Sequence, residues 1–310
     1  LAAEAKGRKV HHLNIGQPDI ETPKAFFDAV SNFGKAVLEY APSTGVECYL
    51  EAVRDYYTNL GFPITCDDIM ATHGGSEALE IIMSCILEDV EIAGASIRPI
   101  PTDPEKGYRY ATREQIEPLI NAHTRAILVT NPGNPTGVVL NHQEMRLLAD
   151  IAKEHEIFLI SDEVYREIVY TGEKLSSMLE FQDAAENVIV VDSVSKRFSS
   201  CGARVGALIS RNQELMAQAM KICQGRLCAA TLDQVGAAAM YRELPAEYYT
   251  SVREEYQRRR DTVVESFYAT PGKGRNEIRI AYVTNPAELS RSIELLGLGI
   301  AAYNARGEKA

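Results

Sequence analysis

An alternation of apolar runs and amphipathic segments between residues 124 and 225 constrains the fold of this chain more than any other feature. Four runs have the length and composition of buried strands, and two segments carry the spacing of amphipathic helices. The strand-like runs are TRAILVTNP (124–132), IFLISDE (157–163), NVIVVDSVS (187–195) and RVGALIS (204–210), and the helical segments are NHQEMRLLADIAKEH (141–155), opened by Asn141, and NQELMAQAMKICQG (212–225). Such a pattern is typical of a parallel sheet with helices on both faces. We therefore expect an α/β fold whose large domain has a mostly parallel sheet.

The segment that precedes this alternation predicts a further strand and two helices. Residues 51–60, EAVRDYYTNL, have helical spacing, and DIMATHGGSEALEIIMSCIL (68–87) predicts a short strand, a glycine turn and a helix. A helix that begins at such a turn leaves backbone N–H groups unpartnered, and these can bind an anion. An ordinary strand-to-helix turn, which glycine also favours, explains the pattern equally well.

The C-terminal part of the chain is mainly helical by its sequence. Residues 231–265 are almost wholly helical in pattern, and the RRR run at 258–260 is expected on a solvated helix face. NEIRIAYV (276–283) predicts a late strand, and residues 286–306 predict a terminal helix. We expect an N-terminal arm with part of a small α/β domain at 1–45, a large domain at 46–230, and an interdomain helix with the rest of the small domain at 231–310.

The net charge, the apolar runs and the cysteines limit which binding partners and which cell compartment we expect. The net charge of −11 and the pI near 5.2 argue against nucleic acid or an anionic membrane as the main partner. No apolar run approaches the roughly 18–20 residues of a membrane span, and the first residues lack the long apolar stretch of a secretion signal. The six cysteines contain no CxxC pair, and several lie in apolar segments where a reduced thiol is usual. We expect a cytoplasmic protein without a metal site.

Three polar side chains follow predicted strand ends. Asn134, Asp162 and Lys196 each lie just past one of the apolar runs. Ligands of open α/β sheets bind at the carboxyl ends of the strands. We therefore expect these three residues to converge on one crevice.

The stretch SVSKRFSSCGARVG (193–206) has two interpretations when it is taken alone. A lysine among serines is usually a solvated loop lysine. The same stretch suits a lysine that binds a phosphorylated cofactor covalently, with Arg204 and the hydroxyls holding the phosphate.

Seven stretches in chain order resemble the class I/II aminotransferases, which are pyridoxal-phosphate enzymes of the aspartate aminotransferase fold type I. The stretches are NIGQPD (14–19), YAPSTG (40–45), HGGSEAL (73–79), NPGNPTG (131–137), SDEVY (161–165), SVSKRFSSCGARVG (193–206) and RIAY (279–282). The resemblance covers nearly the whole chain. It implies pyridoxal 5′-phosphate as the cofactor and transamination between an L-amino acid and a 2-oxo acid.

The resemblance assigns four residues to the reactive end of the cofactor. Lys196 matches the imine-forming lysine, which also moves the proton of the substrate α-carbon. Asp162 matches the carboxylate that keeps the pyridine nitrogen protonated, with a capping or turn aspartate as the alternative. Tyr165 and Asn134 match the groups that hydrogen-bond the ring oxygen, although a core tyrosine and a tight-turn asparagine are the ordinary interpretations.

The resemblance also assigns residues to the phosphate and to the substrate. The phosphate ligands are expected to be Arg204, Ser193, Ser195, Gly75, Ser76 and a partner subunit's copy of Tyr40. Arg279 matches the arginine that binds the α-carboxylate, together with Asn134, and Gly16 matches a residue that closes over it. A shared Tyr40 implies a homodimer whose active sites contain residues of both subunits.

Two junctions depart from the family pattern. The helix at 76–89 runs directly into VEIAGASIRPIP, without the strand and the stacking aromatic residue that the family has between them. TVVESFYAT likewise joins a long helix to NEIRIAYV without most strands of the small domain. We expect segments to be missing near Asp89/Val90 and near Ser266/Phe267, and a naturally shortened protein is the alternative.

Transamination is the predicted reaction because Asn134, Asp162, Tyr165, Lys196, Arg204 and Arg279 are all present. Aspartate and aromatic amino acids are the expected donors, with 2-oxoglutarate as the acceptor. Carbon–sulfur lyases and other fold type I enzymes use most of the same residues and remain an alternative. A catalytically inactive regulatory module is the alternative of a different class.

Overall fold

The computed structural model describes residues 4–7, 9–10, 16–86, 96–170, 172, 176–267 and 283–307. The chain divides into two compact units. Residues 1–20 and 249–310 form one of them, named here the terminal unit, and residues 21–248 form the other, the sheet unit. The domain borders expected at 45/46 and 230/231 remain a prediction. The late strand at 276–283 lies, except for its last residue, outside the described residues.

A five-stranded sheet forms the centre of the sheet unit. Its strands are β1 (Ile69–Thr72), β2 (Ala126–Thr130), β3 (Phe158–Asp162), β4 (Val188–Ser193) and β5 (Gly206–Ser210). They lie in the order β1-β5-β4-β3-β2, and the pairs β2/β3 and β3/β4 are parallel. Four of these five described strands point the same way, which agrees with the predicted mostly parallel sheet. All five were predicted, four of them from the apolar runs and β1 from the segment at 68–87.

Strand β5 runs antiparallel to both of its neighbours. Gly206, its first residue, pairs with Thr72 at the end of β1 and with Ser193 at the end of β4. The start of β5 therefore lies at the same edge as the carboxyl ends of the other strands. An apolar strand buried on both faces has the same sequence pattern in either direction, so its polarity was not visible in the sequence.

The helices mostly follow the predicted segments. Their bounds are α1 (Lys24–Ser31), α2 (Glu47–Asn59), α3 (Gly74–Ile86), α4 (Arg113–Ile116), α5 (His142–Glu154), α6 (Val194–Arg197), α7 (Gln213–Arg226), α8 (Thr231–Glu243), α9 (Ala246–Phe267) and α10 (Pro286–Gly307). Single 3₁₀ turns span Glu4–Lys6, Cys66–Asp68, Pro104–Lys106, Glu117–Leu119, Met178–Glu180, Gln182–Ala184 and Cys201–Ala203. Asn141 opens α5 as predicted, and it does so through a capping box with Glu144.

Helices cover both faces of the sheet. On one face, α3 and α7 pack through Ile82 and Leu215 against a cluster that includes Val191 of β4. Side chains alternate along a strand, so Asp192 points to the opposite face. There its carboxylate accepts a hydrogen bond from Tyr57 of α2 at 2.9 Å. This two-sided cover explains why β1, β4 and β5 are buried along their whole length.

The terminal unit contains most of α9 and all of α10. Arg259, the middle residue of the RRR run, is buried in it and pairs with Asp19 and with Glu255, the latter at 2.7 Å. Its Nη1 also donates to the Val283 carbonyl oxygen at 2.6 Å. The expectation of a solvated face is therefore wrong for Arg259. Arg258, by contrast, is exposed.

The described helices include none that is both long and apolar enough to cross a membrane. The junction expected near Asp89/Val90 lies outside the described residues. The junction expected near Ser266/Phe267 falls at the C-terminal end of α9.

Candidate active site

Three of the predicted residues lie close together at the carboxyl edge of the sheet. Asn134 donates from its side-chain amide to the hydroxyl oxygen of Tyr165 at 3.1 Å. The Nζ atom of Lys196 lies 6.0 Å from the centre of the Tyr165 ring and 3.9 Å from Cys201 Sγ. These side chains come from the segments after β2, β3 and β4, which are neighbouring parallel strands. The parallel register therefore brings them to one place.

Asp162 is the last residue of β3 and is partly buried. Burial raises the pKa of its carboxyl group from 3.8 to about 6, and the nearby negative charge of Asp192 adds to this effect. A hydrogen bond of 3.2 Å from the Val164 N–H opposes it. Such a carboxylate is poorly stabilised by its surroundings, and a cation bound beside it would restore the charged form.

Backbone geometry brings Arg204 beside the start of α3. Gly74 has a φ of +77°, and a Cβ atom at this position would lie 2.5 Å from Nη2 of Arg204. The guanidinium donates to the carbonyl oxygens of His73 at 3.1 Å and Cys201 at 3.2 Å. It forms no ion pair with a carboxylate among the described residues, so its charge is available to an anion.

Gly206 brings the hydroxyl groups of the β4–α6 turn to the same place. A Cβ atom on Gly206 would lie 2.7 Å from both the Asp192 carbonyl oxygen and the Gly74 carbonyl carbon. This close approach sets Ser193 beside the start of α3. Ser193 Oγ donates to the Val205 carbonyl oxygen at 3.0 Å, lies 2.9 Å from Ser195 Oγ and accepts the Ser195 N–H at 3.2 Å.

The donor set at this end fits a phosphate group. Helix α3 begins at Gly74, and the N–H groups of its first turn, including those of Gly75 and Ser76, have no intrahelical partner. The guanidinium of Arg204 and the hydroxyls of Ser193 and Ser195 add charged and neutral donors. At the other end, Asp162 suits a protonated ring nitrogen. The residues present therefore fit a phosphorylated pyridine cofactor.

The comparison with protein families decides the class of the chain. The model of the family described as aminotransferase class I and II matches residues 85–287, more than half of the chain. The chain belongs to this family. It is therefore an aminotransferase.

Known aminotransferases resemble this one over most of its length. The aspartate/prephenate aminotransferase of Thermus thermophilus is 28% identical over 328 residues, covering 97% of this chain and 84% of that protein. Aromatic-amino-acid aminotransferase 2 of Thermococcus litoralis is 29% identical over 273 residues, covering 81% and 70%. The solved structure of a Thermus thermophilus aspartate aminotransferase double mutant matches with a TM-score of 0.80 at 27% identity, covering 86% of this chain and 75% of that one.

Three further site residues were predicted from other parts of the chain. Tyr40 belongs to the sheet unit, where its side chain is 80% exposed. Gly16 belongs to the terminal unit, and Arg279 lies outside the described residues. Their roles remain predictions.

Several residues that build this site were not predicted from the sequence. One is Gly206, whose lack of a side chain allows the close backbone approach described above. Another is Asn131, whose Oδ1 accepts a hydrogen bond from the Leu140 N–H at 2.9 Å across the loop that carries Asn134. Asp192 and Arg197 form a buried ion pair of 2.9 Å on either side of the Ser193–Lys196 turn. An aspartate inside the apolar run NVIVVDS was the available signal, because a buried carboxylate requires a partner.

Proposed function

We propose that this aminotransferase uses pyridoxal 5′-phosphate to exchange the amino group of an L-amino acid with a 2-oxo acid such as 2-oxoglutarate. The observation that carries the proposal is the pairing of two sets of groups at one edge of one sheet. One set contains Lys196, Tyr165 and Asn134. The other contains Arg204, Gly74 and the serine hydroxyls, and it fits a phosphate.

The phosphate end would hold the cofactor through charge and backbone donors. Arg204 presents a planar fork of N–H groups that suits two phosphate oxygens. Ser193 and Ser195 contribute hydroxyls, and Gly75 and Ser76 contribute N–H groups at the positive end of the α3 dipole. Each of these groups is placed by the backbone around Gly74 and Gly206.

The other end of the site, called here the ring end, contains Lys196, Asp162, Asn134 and Tyr165. It would control proton transfer. When bound, pyridoxal 5′-phosphate supplies an electron sink for a substrate that has lost its α-proton. Lys196 would attach the cofactor and afterwards accept the α-proton on Nζ. Asp162 would accept the hydrogen bond of the ring N–H and hold the proton there. Asn134 and Tyr165, which already share a hydrogen bond, would donate to the ring oxygen.

The substrate assignment is supported by the relatives and by the predicted role of Arg279. An arginine at that position would bind the α-carboxylate that all α-amino acids share, with Asn134 and Gly16 beside it. Relatives named for aspartate and for aromatic amino acids make these the first donors to test. The relatives reported above are aminotransferases rather than lyases, so the carbon–sulfur lyase alternative is not favoured.

We also propose a cytoplasmic homodimer with shared active sites. The 80% exposure of Tyr40 leaves its hydroxyl available to a neighbouring subunit, as the family resemblance predicts. The six cysteines are free thiols, which suits a reducing compartment. A wild-type protein that is monomeric at micromolar concentration and fully active would refute the dimer.

The function can be tested by combining a spectrum with a substrate screen. The chain is loaded with pyridoxal 5′-phosphate, and its visible absorbance is followed as each of the twenty common amino acids is added. Production of the matching 2-oxo acid and of glutamate from 2-oxoglutarate is then measured. Lys196→Ala is the control, and we expect it to abolish turnover while leaving the fold intact, because this lysine both attaches the cofactor and carries the proton. Sulfide or pyruvate without glutamate would favour a lyase, and activity confined to alanine would overturn the choice of donors.

A further inference from the structure

The residues on either side of the Ser193–Lys196 turn form a buried ion pair. Asp192 precedes Ser193, and Arg197 follows Lys196, so the pair closes a loop around the segment that carries both serines and the lysine. Arg197 Nη2 lies 2.9 Å from Asp192 Oδ2, and both side chains are only 1% exposed. The Ser193 N–H donates to Asp192 Oδ1 at 2.7 Å. The carboxylate therefore binds both ends of the turn.

Three tyrosines hold this ion pair from the opposite side. Tyr57 donates to Asp192 Oδ2 at 2.9 Å. Arg197 Nη1 donates to the Tyr241 hydroxyl oxygen at 2.5 Å, and its guanidinium carbon lies 4.3 Å from the centre of the Tyr56 ring. Tyr56 and Tyr57 belong to α2 and Tyr241 to α8, so the turn is tied to two helices. An arginine fits this place because its flat, forked group can bond and stack at once.

Stability alone does not explain why two charges are buried here. Removing two charges from water is costly, and replacing a buried ion pair with apolar residues of similar size is often neutral or stabilising. In some proteins the demonstrated gain from such buried groups is conformational specificity, the selection of one arrangement of the chain. Here the segment that the pair encloses carries the amine and two of the hydroxyls of the proposed cofactor site.

We propose that Arg197 is a positioning residue of this aminotransferase: with Asp192 it closes a buried clamp that holds the Ser193–Lys196 turn in the geometry needed to bind and use pyridoxal 5′-phosphate. The inference rests on the proposed function. Arg197 does not touch the substrate or the cofactor in this role. It acts through Lys196, Ser193 and Ser195.

A second buried ion pair in the same unit provides a matched control. Glu163 and Arg166 lie 2.6 Å apart, with side chains 0% and 3% exposed. The arginine also lies near aromatic rings, those of Tyr57 and Phe62. This pair has the same chemistry as the clamp, but the short segment that it encloses carries Tyr165 instead of the lysine and the two serines. Arg166→Met therefore measures what loss of any buried ion pair does to this protein.

The test compares Arg197→Met, Arg197→Lys, the double variant Asp192→Asn/Arg197→Met, and Arg166→Met with the wild type. The affinity of the apo-protein for pyridoxal 5′-phosphate is measured by quenching of tyrosine fluorescence. Attachment at Lys196 is measured by borohydride trapping and peptide mapping. Values of kcat and KM are determined separately, and the urea midpoint reports stability.

For Arg197→Met we expect kcat to fall by about 100-fold, the scale seen when a catalytic group is misplaced by about 1 Å. Cofactor affinity should fall by about tenfold, since two hydroxyl donors move with the turn. The KM for the amino acid should change by less than about twofold. Arg197→Lys keeps the charge but not the fork, so we expect only partial rescue.

The double variant separates positioning from stability. Removing both charges should restore much of the urea midpoint, whereas kcat and cofactor affinity should stay low because the clamp is absent. Arg166→Met should lower the midpoint but weaken cofactor binding by less than Arg197→Met does, because the segment that it releases carries only the Tyr165 hydroxyl. The clamp is refuted if the double variant regains wild-type kcat, or if Arg166→Met weakens cofactor binding as much as Arg197→Met. If Arg197→Met does not fold, the double variant and Arg197→Lys decide the question.

The wild-type measurements keep this inference apart from the proposed function. If the wild type binds no pyridoxal 5′-phosphate, or if borohydride traps it elsewhere than at Lys196, the proposed function fails and the clamp fails with it. If the wild type is trapped at Lys196 and the Arg197 variants match it in kcat and affinity, only the clamp is wrong.

Discussion

The two ends of the candidate site are built in different ways. At the phosphate end, the positions of donors are set by the backbone: Gly74 and Gly206 allow the close approach of chain segments, and Arg204 bonds to two carbonyl oxygens. At the ring end, the site depends on side chains at strand ends, and burial leaves the Asp162 carboxyl with a pKa near 6. The donors of the proposed phosphate end are thus positioned by contacts with the backbone. The ring end includes a carboxylate whose charged form a cation beside it would stabilise further.

Among the changes that compare the two ends, Asp162→Asn at the ring end should have the largest effect. This change removes the carboxylate that would hold the proton on the cofactor ring, so we expect kcat to fall by about 100- to 1,000-fold, the scale of a lost electrostatic catalytic group. The apo-protein should become more stable at pH 7, by at most about 3 kcal/mol, because a raised pKa means that folding penalises the charged form. Urea unfolding and steady-state kinetics check the two effects. A near-normal rate would refute the role of Asp162.

The pH dependence sharpens this expectation. The pKa of Asp162 is about 6 in the folded protein and 3.8 ordinarily. The destabilisation caused by its ionised carboxylate is therefore complete above pH 6 and disappears as the pH falls toward 4. The stability difference between Asp162→Asn and the wild type should therefore shrink over this interval. Asp183 is a control whose pKa is shifted in the opposite direction. Its carboxylate accepts hydrogen bonds from Arg146 and Lys153, which lower its pKa to about 2. Asp183→Asn should make the protein less stable at pH 7, by an amount that also fades as the pH falls.

Gly206→Ala should break the phosphate end through the backbone. The added methyl group would meet the Asp192 carbonyl oxygen and the Gly74 carbonyl carbon at 2.7 Å, and neither atom can move without shifting a strand or a turn. We expect a loss of about 2–3 kcal/mol in the free energy of unfolding, as for other overpacked sites. Gly225→Ala is the matched control: its Cβ would enter open space within α7, so stability should rise slightly. Equal stability of the two variants would contradict the close-approach argument.

Arg204→Ala should affect binding more than folding. Its side chain is exposed and bonds only to carbonyl oxygens among the described residues, so the unfolding free energy should change little. Affinity for pyridoxal 5′-phosphate should fall by about 1.5–3 kcal/mol, the range of a charged hydrogen bond. Arg204→Lys keeps the charge, so its affinity for pyridoxal 5′-phosphate should lie between those of Arg204→Ala and the wild type. Equal cofactor affinity of dialysed variant and wild type would exclude Arg204 as a phosphate ligand.

The smallest effect should come from Tyr165→Phe. It removes the hydroxyl that accepts the Asn134 hydrogen bond at 3.1 Å and leaves the ring beside Lys196 in place. We expect a cost of about 1 kcal/mol or less in kcat/KM, the net value of one neutral hydrogen bond. The pH titration of the visible absorbance of the cofactor-loaded protein should shift as well. Unchanged kinetics and an unchanged titration would show that Tyr165 only packs against the lysine.

The sequence predicted the five strands and the helices α2, α3, α5, α7 and α8 of the sheet unit because they have strong periodic patterns, whereas α1, α4 and α6 were not predicted. The apolar runs at 126–130, 158–162 and 188–193 became parallel strands, and Asn141 became the cap of its helix through its side chain. These features depend on neighbours in the chain, so they are visible in it. The solvated interpretation of Arg259 failed for the opposite reason, because Asp19, its partner, lies far away in sequence.

By itself the sequence determined the type and order of most elements and which polar residues end the strands, because periodicity and strand-end chemistry are local properties. It also determined the family, through its motifs. Tertiary structure alone decided that β5 runs backwards and so brings Arg204 and Gly206 to the carboxyl edge. It also decided that Asp192 and Arg197 close a buried clamp around the lysine turn. Strand polarity, close backbone contacts and the pKa of a buried carboxyl all depend on which distant segments lie nearby, and no spacing along the chain encodes that directly.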